Sequence, residues 1–517
     1  MSQIAPSRAP ASSAETKFDK YLPVVSLSAL AVALLATNRW FTVIDDETAV
    51  IDRAAKPILQ TIQLFLNGMG EHEHPPLYDL LFHGWLRLTN GTMNLLRLPA
   101  IVFFVLAIWI LAKAAGLLGG RRSAAYIFGI GLLWPYGFHF GRVAIWYSFC
   151  FLLVCLVTLC YLKFLHENSL ASWLCLFLSC VALVYSNYFG WAIIGCLAFD
   201  FALRNWKCVA VWWRPFLATG VLFVVVYIPL FKAFFGEFHS HAHADFRALN
   251  VLAKGSYNLY SLFVSESVAP WYWIAGVSAA FAVATSLIIA FRENSWQARR
   301  FLLYFIALLF IMTVLGIVQP RRLLLISAWL VLPVGTALGT VVRKLPRQMI
   351  VASLILVAAI GWFGIINRNL YAAPRWIEPW EKVAQRATEV IHNGGIVIAN
   401  NPSFFFYLTY SLPNDDSGSA RSFPGLMPKV RRKGAYDPTQ WLDAGRPVGP
   451  TTLLVKGLHF ATPSGPTDEA ESWLDQHCHL LDSEHLVHDS GAKFKQHFEP
   501  QSDQREWRIE IRSYSCP

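Results

Sequence analysis

Three carboxylates stand side by side at Asp45, Asp46 and Glu47, shortly after an apolar run that ends near Thr37. Adjacent anions favour one another's protonated forms, and a carboxylate ready to take a proton is a general base. A plainer use competes, because an acidic residue also caps a helix and Asp46 stands where a helix over 48–56 would begin. Further on comes Glu71-His72-Glu73-His74-Pro75-Pro76-Leu77-Tyr78. Glu71, His72 and His74 are candidate ligands for a divalent ion, although their spacing matches no zinc motif. His239, His241, His243 and Asp245 form a second His-rich stretch. The cations that stand out are Arg321, Arg322 and Arg142, since a guanidinium grips a phosphate through two parallel hydrogen bonds. Their competing use is anchoring at a membrane interface.

The elements that must position these groups are apolar. The chain has 517 residues, 55% hydrophobic and 15% charged, with mean hydropathy +0.42, against roughly 25% charged in an ordinary soluble domain. Long apolar runs without period-two alternation must be helices in lipid, because every backbone group has to be satisfied within the segment. Candidate spans lie near 21–37, 95–118, 123–138, 144–164, 170–186, 188–203, 210–235, 271–291, 301–318, 323–342 and 349–367, about eleven in all. The fold class expected is therefore mainly α, a polytopic transmembrane bundle. Arg121, Arg122, Lys163, Arg204, Lys207, Arg214, Arg292, Arg299, Arg300, Arg343, Lys344 and Arg347 fall in alternate connections. Positive charge belongs inside, so the N-terminus is expected in the cytoplasm. The loops 38–94 and 236–270 and the C-terminal region are then expected outside, periplasmic or extracellular to an inner (plasma) membrane. The clustering of basic residues between apolar runs argues against nucleic acid as the partner of a chain with net charge +10.

Residues 1–17, rich in Ser, Ala and Pro, read as a disordered cytoplasmic tail, residues 18–370 as the membrane domain, and 371–517 as a small extracytoplasmic α/β domain. In that domain Glu381–Ile391 is helical by period, Ile396–Ala399 is a buried strand, 413–450 reads as a long loop, and Trp507–Ile511 closes a sheet. Asn400 and Asn401 end the strand at a place suited to a turn or to a ligand. Cys478 and Cys516 pair if the domain faces an oxidising compartment and are two free thiols otherwise. Thr48 to Leu66 reads as one amphipathic helix along the membrane surface.

An acidic pair after the first span, then His74-Pro75-Pro76-Leu77-Tyr78, then Arg97-Leu98-Pro99 opening the second span, resembles the GT-C membrane glycosyltransferases. The branch it most resembles holds protein O-mannosyltransferases, the aminoarabinose transferase acting on lipid A, and Rgt-like enzymes. Gly141-Arg142 to Trp146-Tyr147, Ser186-Asn187-Tyr188-Phe189-Gly190 and Arg321-Arg322 look like further family elements, over roughly residues 20–345. The resemblance implies an inverting sugar transfer from a polyprenyl-phosphate donor to an acceptor hydroxyl on a glycan, lipid or protein, at the outer membrane face. Asp46 aligns as the base with Asp45 the alternative one residue away and Glu47 completing the pair. Arg321, Arg322 and Arg142 would hold the donor phosphate, and His74, Tyr78, Tyr147 and Tyr188 would position substrate. The competing readings are a transporter or flippase of lipid-linked sugars and a membrane scaffold. The absence of an internal repeat and the clustered acids of the first loop weigh against a transporter.

Overall fold

The computed structural model describes residues 17–67, 74–89, 95–232, 234–235, 248–315, 319–340, 345–372, 376–411, 434–457, 465–487 and 508–517. Helix α1 (Lys17–Ala36) is followed by three helices in the first large loop, α2 (Asp45–Ala55), α3 (Ile58–Asn67) and α4 (Leu77–Thr89). Then come α5 (Leu98–Leu133), α6 (Pro135–Phe140), α7 (Tyr147–Glu167), α8 (Leu170–Val184), α9 (Gly190–Arg204) and α10 (Val209–Tyr227). The bundle closes with α11 (Ala248–Val264), α12 (Trp273–Glu293), α13 (Trp296–Val314), α14 (Leu324–Thr340) and α15 (Leu345–Ile366).

Among the described residues, each stretch expected to be an apolar helix is mainly helical. Among the described residues, seven helical stretches are long and apolar enough to cross a membrane, and Tyr21–Ala36 and Leu170–Val184 are shorter apolar helices. Two expected spans run together in α5, which breaks at Gly120, where φ is 77°, a conformation that a residue without Cβ adopts at little cost. The single amphipathic helix expected over 48–66 is instead two. Pro57 holds Lys56 extended (φ −65°, ψ 153°) and ends α2 there, as the residue before a proline tends away from the helical region. The stretch 236–270, expected as a loop, contains α11.

Helices α5 and α14 cross with their backbones close together. A Cβ on Gly339 would lie 2.2 Å from Ser123 Oγ, and one on Gly335 would lie 2.4 Å from Ile127 Cδ1. Ser123 Oγ uses this approach to donate to Thr336 O at 3.2 Å as well as to Gly119 O at 3.0 Å, the small-residue packing that apolar helices use in lipid. At the end of the bundle where Arg204 stands, the buried Asp200 pairs with Arg204 at 2.6 Å and Arg300 at 2.5 Å. It also accepts from Tyr304 at 3.0 Å and from Tyr161. A buried carboxylate persists only with such partners, and this one pins α7, α9 and α13 together.

The C-terminal region adds α16 (Trp380–His392), α17 (Pro402–Ser411), α18 (Pro438–Asp443) and α19 (Pro466–His477) around five strands. These are β1 (Ile396–Ala399), β2 (Ala435–Tyr436), β3 (Thr452–Gly457), β4 (His479–Val487) and β5 (Arg508–Ser515), in spatial order β2-β1-β3-β5-β4. Strand β1 is parallel to β2 and β3, and β5 is antiparallel to β3 and β4. Alternate residues face opposite ways along a strand. Val397, Ala399, Leu453 and Val455 accordingly join the core shared with the membrane helices, while Ile396, Ile398 and Leu454 pack with Trp441, Leu474 and Tyr514 in a separate cluster. Burial on both faces explains why β1 shows no polar alternation. Cys478 and Cys516 are joined by a disulfide. Asn400 and Asn401 are spent on the main chain. Asn400 Nδ2 donates to Gly457 O at 3.2 Å and its Oδ1 accepts from Gly457 N at 2.7 Å, while Asn401 Oδ1 accepts from Phe404 N at 3.2 Å to cap α17. Asn400 thus ties the ends of β1 and β3 together, and Asn401 starts α17.

Candidate active site

The acidic triplet forms the first turn of α2, where the exposed amides of a helix start favour negative charge. One turn of helix sends its members in different directions. Glu47 has no solvent exposure. Its Oε1 accepts from Arg97 Nε at 2.8 Å and Ala144 N at 2.8 Å, and its Oε2 accepts from Arg97 Nη2 at 2.6 Å and Ile44 N at 3.2 Å. Arg97 gives its remaining hydrogens to Asn38 O at 2.9 Å, Phe41 O at 3.0 Å and Thr42 O at 2.9 Å. All five of its N–H groups are thus used. Burial alone would lower its pKa, but Glu47 outweighs that and holds it above the usual value. The pair is an internal brace between residues 38–47 and the 141–147 connection.

Asp46 points the other way. Its side chain is 39% exposed and it pairs with Arg321, whose Nε donates to Gln319 Oε1 at 2.8 Å. Arg321 lies in a single turn, Pro320–Leu323, which Tyr136 holds by donating its hydroxyl to Pro320 O at 2.7 Å. The residue nominated as base and the first residue nominated for phosphate therefore meet. Arg322 shares the turn and is partly buried. The Asp45 side chain lies outside the described part of the structure.

Arg142 sits differently from the expected phosphate ligand. It is fully buried, donating Nε to Phe138 O at 2.9 Å and Nη1 to Thr37 O and Oγ1, each at 2.7 Å. Its guanidinium lies 4.5 Å over the Phe41 ring and 3.8 Å over Phe138. Burial, then the nearby charge of Arg97, pull its pKa well below the usual value. These bonds tie the end of α1 to the 138–142 segment.

His74 packs against Trp146 with ring centroids 4.2 Å apart, and Trp146 meets Tyr147 edge-on at 4.4 Å. Leu77 N donates to Tyr185 O at 3.0 Å, which fastens the double-proline entry to the end of α8. Trp146 and Tyr147 belong to the 141–147 stretch that Glu47 braces through Ala144 N, and His74 joins it by packing on Trp146. Tyr78 instead turns into the core against Phe82 and Phe149, 5.6 and 6.0 Å away. Burial, followed by the charges of Asp79 and Glu47, raises its pKa well above the usual value. Tyr188 packs against Phe234 at 5.7 Å, within an aromatic group that also contains Tyr227, Phe231 and Phe235. Glu71 and His72 lie outside the described residues, as do His239, His241, His243 and Asp245. Among the described residues no three His, Cys, Asp or Glu side chains gather as a metal site would require.

Several buried polar residues were not singled out from the sequence. Asp79, one residue past Tyr78, pairs with Arg53 at 3.1 Å. Glu266 accepts from Trp376 Nε1 at 3.0 Å and Tyr257 OH at 3.1 Å. Beside it, His139 Nδ1 and Ser265 Oγ are 2.6 Å apart, and Ser265 has φ 66°, which is uncommon outside glycine. The signal for this group was the polar run Ser265-Glu266-Ser267 between two apolar helices.

No protein-family model matches the sequence, and no curated protein matches it. Solved structures do match. The crystal structure of ArnT from Cupriavidus metallidurans in the apo state aligns over 97% of this chain and 98% of that one, with TM-score 0.56 and 14% identity. The same protein bound to undecaprenyl phosphate aligns over the same shares at 15% identity with TM-score 0.44, too low to carry an argument. In fold, over nearly its whole length, the chain is therefore similar to ArnT from Cupriavidus metallidurans.

Proposed function

We propose that the chain moves a sugar from a polyprenyl-phosphate donor to an acceptor hydroxyl at the outer face of the membrane, with Asp46 as general base and Arg321 as the grip on the leaving phosphate. The observation that carries this reading is the pairing of Asp46 with Arg321 at the mouth of an apolar helix bundle. Asp46 takes the acceptor's proton as the acceptor oxygen attacks the anomeric carbon. The bond from that carbon to the phosphate oxygen breaks, and the electron pair stays on the phosphate, where a guanidinium can offset the new charge. Attack from the side opposite the departing phosphate inverts the anomeric centre. Glu47 is unsuited to the role because its oxygens are occupied and it has no access to solvent.

The resting pair adds a coupling. An arriving phosphate competes with Asp46 for Arg321, so donor binding frees the carboxylate when it is needed. Trp146 and Tyr147, on the stretch that Glu47 braces, and His74, packed on Trp146, are the groups we assign to positioning substrate. The outer placement rests on charge. Arg204 and Arg300 both pair with the buried Asp200, and positive charge belongs on the cytoplasmic side. The test is mass spectrometry of surface glycans from cells lacking the protein. Loss of one sugar substituent, restored by the wild-type chain and not by Asp46→Asn, supports the proposal. An unchanged glycan profile overturns it.

A further inference from the structure

Residues 41–44 are the extended stretch that delivers the acidic turn, and the hydrogen bonds on their main chain come from two sources. The membrane bundle supplies one set, through Arg97 to Phe41 O and Thr42 O and through Glu47 to Ile44 N. The C-terminal region supplies the other. Thr42 N donates to Trp376 O at 2.9 Å, Thr42 Oγ1 donates to Glu378 O, and Val43 N donates to the Tyr407 hydroxyl oxygen at 2.7 Å. Among the described residues, Tyr407 is the only side chain in the second set besides Thr42 itself. It stands on a firm base, because α17 follows β1, which is paired on both sides by β2 and β3, and is capped by Asn401, while Asn400 is locked to Gly457. Helix α17 packs on α16, and the Tyr407 ring is buried. Burial, partly offset by Arg97, pushes its pKa up to about 12, so the phenol stays neutral at working pH.

We infer that Tyr407 is a positioning residue for the reaction: through it the C-terminal region clamps Val43, beside the main-chain hooks on Thr42, and thereby sets where Asp46 stands relative to Arg321. This rests on the proposed transferase function. It assigns the C-terminal region a part in turnover, separate from any part in choosing the acceptor. A residue that orients the base alters the rate of the chemical step and leaves donor binding alone, whereas one that merely supports the fold alters stability first.

The experiment compares full-length wild type, Tyr407→Phe and Thr42→Val in two measurements. One is hydrogen exchange at the Val43 and Asp46 amides, which needs no substrate. The other is turnover of whichever synthetic polyprenyl-phosphate sugar the wild type consumes. The expected result for Tyr407→Phe is exchange at Val43 at least tenfold faster, kcat three- to tenfold lower and donor KM within twofold of wild type. Thr42→Val, which removes only the hook onto Glu378, is expected to fall between the two proteins. Unchanged exchange overturns the clamp. Faster exchange with unchanged kcat, or a kcat loss matched by a rise in KM, overturns the positioning role. A wild type that consumes no such donor counts against the transferase reading, and the exchange result still decides whether the clamp exists.

Discussion

Asp46 and Glu47 are neighbours in sequence with opposite surroundings, and the difference follows from helix phase. Successive residues on a helix point about 100° apart, so one faces the bundle and the other faces the mouth. Breaking a buried ion pair by removing one partner costs about 3–5 kcal/mol, because the other charge is left uncompensated. Glu47→Gln is therefore expected to lower the melting temperature in detergent markedly, whereas Asp46→Asn leaves it near wild type; intrinsic fluorescence during heating checks both. Asp79 supplies a pH dependence. Burial raises its pKa above the ordinary 3.8, although Arg53 works the other way. A carboxyl whose folded pKa is raised stabilises the fold fully below its unfolded value, and that contribution is lost as pH rises through the folded value. The wild type should lose stability relative to Asp79→Asn as pH rises above about 4, which melting curves at acid and neutral pH would show; a difference that grows toward acid pH would contradict this assignment. Asp46 and Arg321 were each legible from the sequence as chemical types. Their pairing was not, nor was the division of labour within the acidic triplet, because a one-residue shift in helix start reverses which carboxylate faces inward.

Among the elements, the closest approach is the crossing of α5 and α14. Gly339→Ala would place a methyl group against the Ser123 backbone, with Ser123 N at 2.4 Å and Cα at 2.5 Å from the new carbon. Overpacking of that kind costs roughly 1–3 kcal/mol. Gly129→Ala, in the same α5, meets nothing within 4 Å and should be neutral or slightly stabilising, since Ala is the better helix former. Thermal melts of the two variants side by side separate close packing from helix propensity; equal melting temperatures would mean the crossing is looser than described. The apolar helices were legible because lipid leaves the backbone no alternative. The break at Pro57, helix α11 inside an expected loop, and strand β4 were less so. The first is a local steric effect inside a continuous amphipathic pattern. The others carry enough polar residues, such as Lys254 and Asn258 in α11 and Asp482, Ser483 and Glu484 in β4, to read as connections.

At the scale of the whole molecule, the bundle and the C-terminal region form one body. Tyr371, Trp376, Trp380 and Phe404 share the continuous core with Phe41 and Val43, and the candidate site is built where the first loop, the turn at Arg321 and the residues after α15 converge. An α/β region at the C-terminus was legible from its strand and helix periods. Its grip on the acidic loop was not, since that contact depends on backbone atoms. The account as a whole stands on Asp46 taking a proton beside a phosphate held by Arg321. The most direct test is turnover of synthetic polyprenyl-phosphate sugars by purified full-length protein, wild type against Asp46→Asn, followed as release of polyprenyl phosphate in the presence of membrane-extract acceptors. Loss of a general base typically costs 10²–10⁴-fold. The account predicts a drop of about 100-fold or more in kcat with an intact melting curve, and turnover by Asp46→Asn within a few-fold of wild type would contradict it.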